Sequence, residues 1–133
     1  MTEQIKTVLA NVTAIALISL LLIGGNTLWR QRTQFLRGEE AMGRGDVMAA
    51  VSAYEAALHM YTPLGPHVER SARRLWEIGA GFEQVGDTER ALIAYRALRS
   101  SFYAAAWLVQ PGREWIARCD MKIAMLAGRG GPR

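Results

Sequence analysis

The stretch that decides the fold of this chain is GDTERALIAYRAL, residues 86–98, and it has an earlier echo in GDVMAAVSAYEAA, residues 45–57. Both stretches begin with Gly-Asp, continue with alanines and carry a tyrosine at the same place, Tyr54 in one and Tyr95 in the other. The offset is about forty residues, which is close to the period of helical-hairpin repeats. The sequence therefore predicts one structural unit that occurs twice.

Each Gly-Asp pair separates two segments with helical periodicity. Glycine readily adopts the left-handed conformation that ends a helix, and an aspartate placed next to it can cap the following helix through its carboxylate. The small alanines, among them Ala50 and Ala91, let neighbouring helices approach closely, and the tyrosine fills the space beside them. Each copy is therefore predicted to be an antiparallel pair of helices.

At these residues the chain resembles the tetratricopeptide repeat (TPR) family, and the resemblance covers residues 31–103. The second copy matches at Leu75, Ile78, Gly79, Phe82, Ala91 and Tyr95, and the first at Gly38, Ala41, Ala50, Tyr54 and Ala57. Two features depart from the family pattern: Leu98 replaces a late alanine, and residues 62–67 lengthen the connection between the copies. The resemblance implies a divergent pair of helical hairpins.

The N-terminal part of the chain has a different character. After a short polar tail, residues 1–6, the segment 7–29 contains no charged side chain, and a bilayer-spanning helix needs about 20 mostly apolar residues. Trp29 stands where an aromatic interface anchor belongs, and arginines follow it. These features predict a retained transmembrane helix. The alternative is a cleaved signal peptide, which the long apolar run and the thin basic start disfavour.

The orientation of this span is predicted from charge. Lys6 is the only cationic side chain before the span, whereas four arginines follow it between residues 30 and 44. The positive-inside rule then places the helical domain, residues 30–127, in the cytoplasm. The predicted location is a bacterial inner or cytoplasmic membrane, with one pass. The reverse orientation is the alternative.

The C-terminal part of the chain predicts one more helix. The helix of the second copy is expected to run until Gln110-Pro111-Gly112, after which apolar residues recur at helical spacing at Trp115 or Ile116, Cys119, Ile123 and Leu126. Such a helix would cover the open face of the second hairpin, and residues 128–133 are expected to form a flexible tail. The predicted fold is all-α: a transmembrane helix, two TPR-like hairpins and a capping helix.

Residues suited to catalysis or metal binding are few. His59 and His67 flank a Pro/Gly loop and lack neighbours at metal-ligand spacing, and Cys119 falls on an apolar stripe, where burial raises the pKa of a thiol. The sequence has no phosphate-binding loop, nucleophile elbow or HExxH motif. We therefore predict no enzymatic activity and no cofactor. The net charge of +4 is spread over several helices, which favours a solvated surface over a nucleic-acid site.

The resemblance also implies a groove lined by the first helix of each copy. The groove positions are Arg32, Phe35, Glu39 and Met42 in the first copy and Arg73, Trp76, Ala80 and Glu83 in the second. Aromatic and arginine side chains are frequent anchors of protein interfaces. For Trp76, packing against the capping helix is the alternative.

One face of the predicted span carries small and polar residues, namely Ala10, Asn11 and Ala14. Such residues are typical of helix–helix contacts in lipid. The predicted partner is therefore an integral membrane protein of a larger complex, or a second copy of this chain. The alternative for Asn11 is that it reaches interfacial water near the end of the span.

The favoured functional hypothesis is a non-enzymatic, membrane-anchored TPR-like protein that acts as an accessory or scaffold subunit of a membrane complex. Two repeats are fewer than repeat arrays usually need for independent stability, and this favours docking on a larger partner. The alternative is a membrane-tethered adaptor or chaperone-like receptor that binds client peptides transiently.

Overall fold

The computed structural model describes residues 2–62 and 65–129, and all the regular secondary structure in these ranges is helical. The helices are α1 (Thr2–Gly43), α2 (Val47–His59), α3 (Pro66–Gln84), α4 (Thr88–Ala104) and α5 (Arg113–Arg129). The all-α prediction is confirmed, with a long apolar N-terminal helix, two hairpins and a C-terminal helix.

Helix α1 combines the apolar segment with the first helix of the first hairpin. It runs without a break for 42 residues, which corresponds to about 60 Å at 1.5 Å per residue. Its apolar window has a mean hydropathy of 2.2 and is long enough to cross a membrane, and none of it is buried by the other described residues. Residues 2–6 of the predicted polar tail are helical and continue directly into the apolar segment.

The two Gly-Asp pairs form the turns that the sequence predicts. Gly45 has φ of +77° and Gly86 has φ of +78°, so both adopt the left-handed conformation. The carboxylate of Asp46 accepts a hydrogen bond from the backbone N–H of Ala49 at 3.2 Å, and that of Asp87 accepts one from Arg90 at 3.1 Å. Each aspartate therefore satisfies a backbone donor that the first turn of a helix would otherwise leave unpaired.

The helices form two layers. The C-terminal half of α1 lies with α3 and α5 in one layer, and α2 and α4 form the other, with hairpin contacts between α1 and α2 and between α3 and α4. Helix α5 packs on α4 and buries Ile116, Cys119 and Leu126. The predicted capping role of this helix agrees with that packing.

A matching glycine–tyrosine contact closes each hairpin. A Cβ atom on Gly38 would lie 2.5 Å from the ring of Tyr54, and a Cβ atom on Gly79 would lie 2.7 Å from the ring of Tyr95. Both tyrosines are fully buried. Only glycine lets the helix backbone approach the ring this closely, which explains why these residue types recur together in the two copies.

Two predicted helix ends differ from the structure. Helix α4 ends at Ala104, well before Pro111, because the side chain of Gln110 folds back and donates to the carbonyl of Phe102 at 2.8 Å, satisfying a backbone acceptor at the helix end. Helix α5 continues to Arg129, so the predicted flexible tail at 128–133 is helical in its first two residues. The rest of that tail lies outside the described residues.

Candidate interaction groove

The eight predicted groove residues fall into three groups. Phe35 belongs to the core: it is nearly buried, and its ring lies 5.7 Å from that of Tyr54 and 5.2 Å from that of His67. Glu39 and Glu83 are bonded within the domain. The remaining five keep an exposed or half-exposed surface, namely Arg32, Met42, Arg73, Trp76 and Ala80.

Glu39 joins three helices. One carboxylate oxygen accepts a hydrogen bond from the hydroxyl of Tyr54 at 2.6 Å. Each of the two oxygens also accepts a hydrogen bond from the guanidinium of Arg74, at 2.7 Å in both cases. Partial burial raises the pKa of Glu39, but the hydrogen bonds from Arg74 and Tyr54 outweigh that effect and hold the pKa below its usual value. The carboxylate therefore ties α1 to α2 and to α3 in its ionised form.

Glu83 repeats this arrangement in the second hairpin. It accepts a hydrogen bond from the hydroxyl of Tyr95 at 2.9 Å and pairs with the ammonium of Lys122 at 2.9 and 3.0 Å. The bond from Lys122 is the main reason that the pKa of Glu83 lies below its usual value, and partial burial opposes it. Glu83 therefore ties α3 to α4 and to α5.

The sequence predicts that Phe35, Glu39 and Glu83 line a groove, whereas the structure places Phe35 in the core and bonds both carboxylates within the domain. Phe35 packs against Tyr54 on α2 and His67 at the start of α3, and each carboxylate accepts a hydrogen bond from a buried tyrosine and pairs with a cation. Aligning the two copies does not reveal this role, because Glu39 is equivalent to Ala80 and Glu83 is equivalent to Met42. In both copies a glutamate follows the glycine of the glycine–tyrosine contact within four residues, and this is the sequence pattern that indicates the carboxylate contact.

Trp76 packs within the domain and also faces a cavity. Its ring lies 5.0 Å from that of Tyr95 and 6.0 Å from that of Trp115 on α5. Its remaining surface lines a cavity of about 450 Å³ between α3 and α5, with Met121, Met125, Arg118 and Lys122 as the other lining residues. We call this cavity the α3–α5 groove.

The α3–α5 groove has the composition of a protein-binding surface. Its apolar lining consists of Met121, Met125 and the indole of Trp76, and Met121 is 75% exposed. Methionine adapts its shape to different partners, and a tryptophan is a common interface anchor. Arg118 and Lys122 at its edge are already paired with Glu114 and Glu83, so the groove would match an apolar segment.

A second depression lies between α1 and α3, with a volume of about 340 Å³. Met42, a predicted groove residue, lines it together with Val47, Arg74, Glu77, Ile78, Gly81, Phe82 and Val85. The other two predicted cations have local partners: Arg32 lies over the ring of Trp29 at 6.0 Å, and Arg73 approaches Glu69 at 4.0 Å.

The predicted membrane face of α1 is free of contacts with the rest of the described chain. Ala10, Asn11 and Ala14 are all exposed. The hydroxyls of Thr13 and Thr27 donate to backbone carbonyls one turn earlier, at 2.8 and 2.9 Å. Asn11 has no corresponding bond among the described residues, so its amide is available to a partner helix.

The groups that could support catalysis are buried or isolated. Cys119 is fully buried, and this burial raises the pKa of its thiol to about 12. His67 is half-buried against Phe35, and burial together with the charges of Arg70 and Arg32 lowers its pKa. Across residues 2–62 and 65–129, no cluster of three or more His, Cys, Asp and Glu side chains has the geometry of a metal site.

No protein-family model, curated protein or solved structure matches this chain. The fold and the surface chemistry of the chain itself are therefore the basis for a functional assignment.

Proposed function

We propose that this chain is a non-enzymatic, membrane-anchored interaction protein with two TPR-like hairpins, and that it serves as an accessory or scaffold subunit of a membrane protein complex. The observation that carries the proposal is the continuity of α1, in which an exposed apolar segment runs directly into the first hairpin. A rigid connection of this kind holds a binding domain at a fixed place beside the bilayer. The α3–α5 groove supplies a surface for the partner.

The anchor is the first element to test. We expect the full chain to remain in the membrane pellet after alkaline carbonate washing, because a span of about 20 apolar residues inserts stably into a bilayer. Recovery in the supernatant would contradict an integral span. A mature N-terminus beyond Trp29 would show instead that the segment is a cleaved signal peptide.

The proposed orientation places the helical domain in the cytoplasm of a bacterial inner or cytoplasmic membrane, on the basis of the arginines that follow the span. A fluorescent protein fused after Arg133 should then be bright, and an alkaline phosphatase fused at the same place should be inactive. The opposite pair of results would reverse the orientation while leaving the anchor in place.

The role of the α3–α5 groove is tested by purification in mild detergent followed by mass spectrometry. Met121→Asp places a negative charge in the groove at a side chain that is 75% exposed, so the domain should still fold. We expect this change to lower partner recovery at least several-fold. Met48→Asp is the matched control, because Met48 is an exposed methionine on α2 outside the groove. Equal recovery with both variants would exclude the groove as the binding surface.

A second candidate function is a membrane-tethered adaptor or chaperone-like receptor. The open, methionine-lined groove favours it, since such surfaces accommodate varied peptides. A permanent subunit should co-purify with one partner in fixed stoichiometry. An adaptor should be recovered largely alone, with many partners at low occupancy that cross-linking at Met121 would capture.

A further inference from the structure

The connection between α4 and α5 exposes three consecutive large apolar residues. Trp107, Leu108 and Val109 are 89%, 80% and 72% exposed, and the whole stretch 104–112 is uncharged. Exposed apolar residues are common singly, but an adjacent group with an indole at its tip is characteristic of an interaction surface. We call residues 105–110 the apolar loop.

A chain of contacts fixes the end of the domain at which the apolar loop lies. The side chain of Gln31, just after the apolar segment of α1, donates to the carbonyl of Met60 at the end of α2. The next helix, α3, begins at the same level, because His67 contacts Phe35. The indole of Trp115, near the start of α5, donates to Glu69 at 3.1 Å. The apolar loop, which immediately precedes α5, therefore lies at the end of the domain from which the apolar segment emerges.

The level of this end relative to Trp29 follows from helix geometry. Phe35 on α1 contacts His67 and so lies level with the start of α3. It follows Trp29 by six residues, which corresponds to about 9 Å along the helix axis at 1.5 Å per residue. The headgroup region extends about 5–8 Å beyond the hydrocarbon core on each side of a bilayer. If Trp29 is at the interface, a loop that projects from this end of the domain is close enough to enter the headgroup region.

The charges at this end also suit a membrane surface. Arg30 and Arg113 are exposed, and Arg32 and Arg70 lie close enough to His67 to lower its pKa. The nearby acidic groups have local partners: Glu69 accepts from Trp115 and lies beside Arg73, and Glu114 pairs with Arg118. Cations around an apolar tip are the combination that binds anionic headgroups while the indole enters the interface.

The loop is also held in place by the domain. Gln110 donates to the carbonyls of Phe102 and Pro111 at 2.8 Å. Gly112 has φ of +68° and lies directly against the ring of Phe102, where a Cβ atom would collide. Both ends of the loop are therefore fixed to the domain, and its apolar tip projects from a defined place.

We propose that the apolar loop inserts Trp107 and Leu108 into the interfacial region of the bilayer that α1 spans, forming a second membrane contact that fixes the tilt of the domain. This inference rests on the proposed membrane anchor. The occupant is lipid and not a protein partner, because the loop shares its end of the domain with the apolar segment and with the arginines around it.

The experiment uses the full chain in vesicles of phosphatidylcholine and phosphatidylglycerol, with an environment-sensitive nitrobenzoxadiazole label at a single introduced cysteine. Leu108→Cys is the test position. Val85→Cys is the matched control, because Val85 is 77% exposed at the opposite, α3–α4 end of the domain. Ile18→Cys reports on the span itself, and the unmodified chain gives the labelling blank, since its native Cys119 is buried.

We expect the label at residue 108 to emit at shorter wavelength than the label at residue 85. Spin-labelled lipids should quench it at least several-fold more strongly. Equal, weak quenching at residues 108 and 85, with strong quenching at residue 18, would overturn the loop contact and leave the anchor intact. A blue-shifted but unquenched label at residue 108 would likewise overturn it, by showing that protein covers the loop. Weak quenching at residue 18 would overturn both the anchor and the loop contact.

Discussion

In each hairpin a glutamate links three helices by bonding to a tyrosine and to a cation, but the glutamate is at a different distance in sequence from the close-approach glycine. In the first, the carboxylate that meets the tyrosine hydroxyl is one residue after the close-approach glycine, at Glu39; in the second it is four residues after, at Glu83. The cation that completes each connection comes from the next helix of the same layer, as Arg74 in one case and Lys122 in the other.

This comparison separates what backbone packing fixes from what a side chain can reach. The glycine–tyrosine contact recurs at the same positions because the ring touches helix backbone, and no other residue type fits there. The carboxylate only needs to reach a hydroxyl near the helix surface, which residues one turn apart on the same face can both do. The glycine–tyrosine contact therefore occurs at equivalent positions in the two hairpins. The glutamate–tyrosine hydrogen bond occurs in both hairpins, but from positions that are not equivalent.

The largest expected effect tests the buried rings. Tyr95→Ala should cost about 3–5 kcal/mol of unfolding free energy, as for other large aromatic side chains removed from cores. Tyr54→Ala should cost a similar amount if the hairpins are equivalent. Tyr103→Ala on α4 is the control, because Tyr103 is about half exposed and its loss should change stability by less than about 0.5 kcal/mol. Urea unfolding of the full chain in detergent, followed by tryptophan fluorescence, measures all three.

The second prediction concerns the close-approach glycine. Gly79→Ala should destabilise the chain by about 1–3 kcal/mol, because the added methyl group overlaps the ring of Tyr95 in a filled core. Gly81→Ala, two residues later in the same helix, has open space around its Cβ and should stabilise the chain by up to about 1 kcal/mol through helix propensity. The same sign for both variants would mean that the ring does not lie against Gly79.

The fold was more predictable than the site, and the reason is physical. Gly45, Gly86 and their aspartates act through local backbone geometry, so the turns and helix caps could be inferred from the sequence and are confirmed. The partners of Glu39 and Glu83 come from other helices, and their distances depend on packing that periodicity does not specify.

The apolar loop was missed for a related reason. Its alanines extend the helical pattern of α4 in sequence, so the sequence predicts a helix that reaches Gln110. Only the structure shows that the Gln110 side chain replaces the next backbone donor at Phe102. With this bond between Gln110 and Phe102 the helix ends at Ala104, and Trp107 and Leu108 lie in an exposed loop.

The third prediction tests the carboxylates. Glu39→Gln removes the charge that Arg74 meets but keeps an acceptor for Tyr54, and it should cost about 1–2 kcal/mol, between the values for exposed and for buried charged hydrogen bonds. Glu40→Gln is the control, since Glu40 is in an exposed i,i+4 pair with Arg44. The difference between the two variants should be measured by urea unfolding at pH 7.

The pH dependence of the wild-type chain follows from the same contacts. The pKa values of Glu39 and Glu83 are lowered in the folded state, so their contribution is complete above the unfolded value of 4.5 and is lost as pH falls through the folded values. Glu39→Gln should therefore lose less stability than wild type below pH 4.5. Parallel pH profiles would mean that Glu39 is not held in its ionised form.

The smallest expected effect concerns the apolar segment of α1, which differs from both hairpins in having no packing partner among residues 2–62 and 65–129. Asn11 is exposed on α1 and lacks the backbone bond that satisfies Thr13. Intramembrane hydrogen bonds contribute about 0.6–2 kcal/mol each, so Asn11→Leu should weaken partner association about three- to thirty-fold without abolishing it. Ala10→Leu together with Ala14→Leu should weaken it further, because larger side chains hold the helix backbones apart.

Replacing residues 7–28 by a Leu/Ala span of equal length, with partner recovery measured in mild detergent, separates recognition from anchoring. Full recovery with the plain span would show that the α1 membrane segment carries no recognition and that the helical domain alone binds the partner.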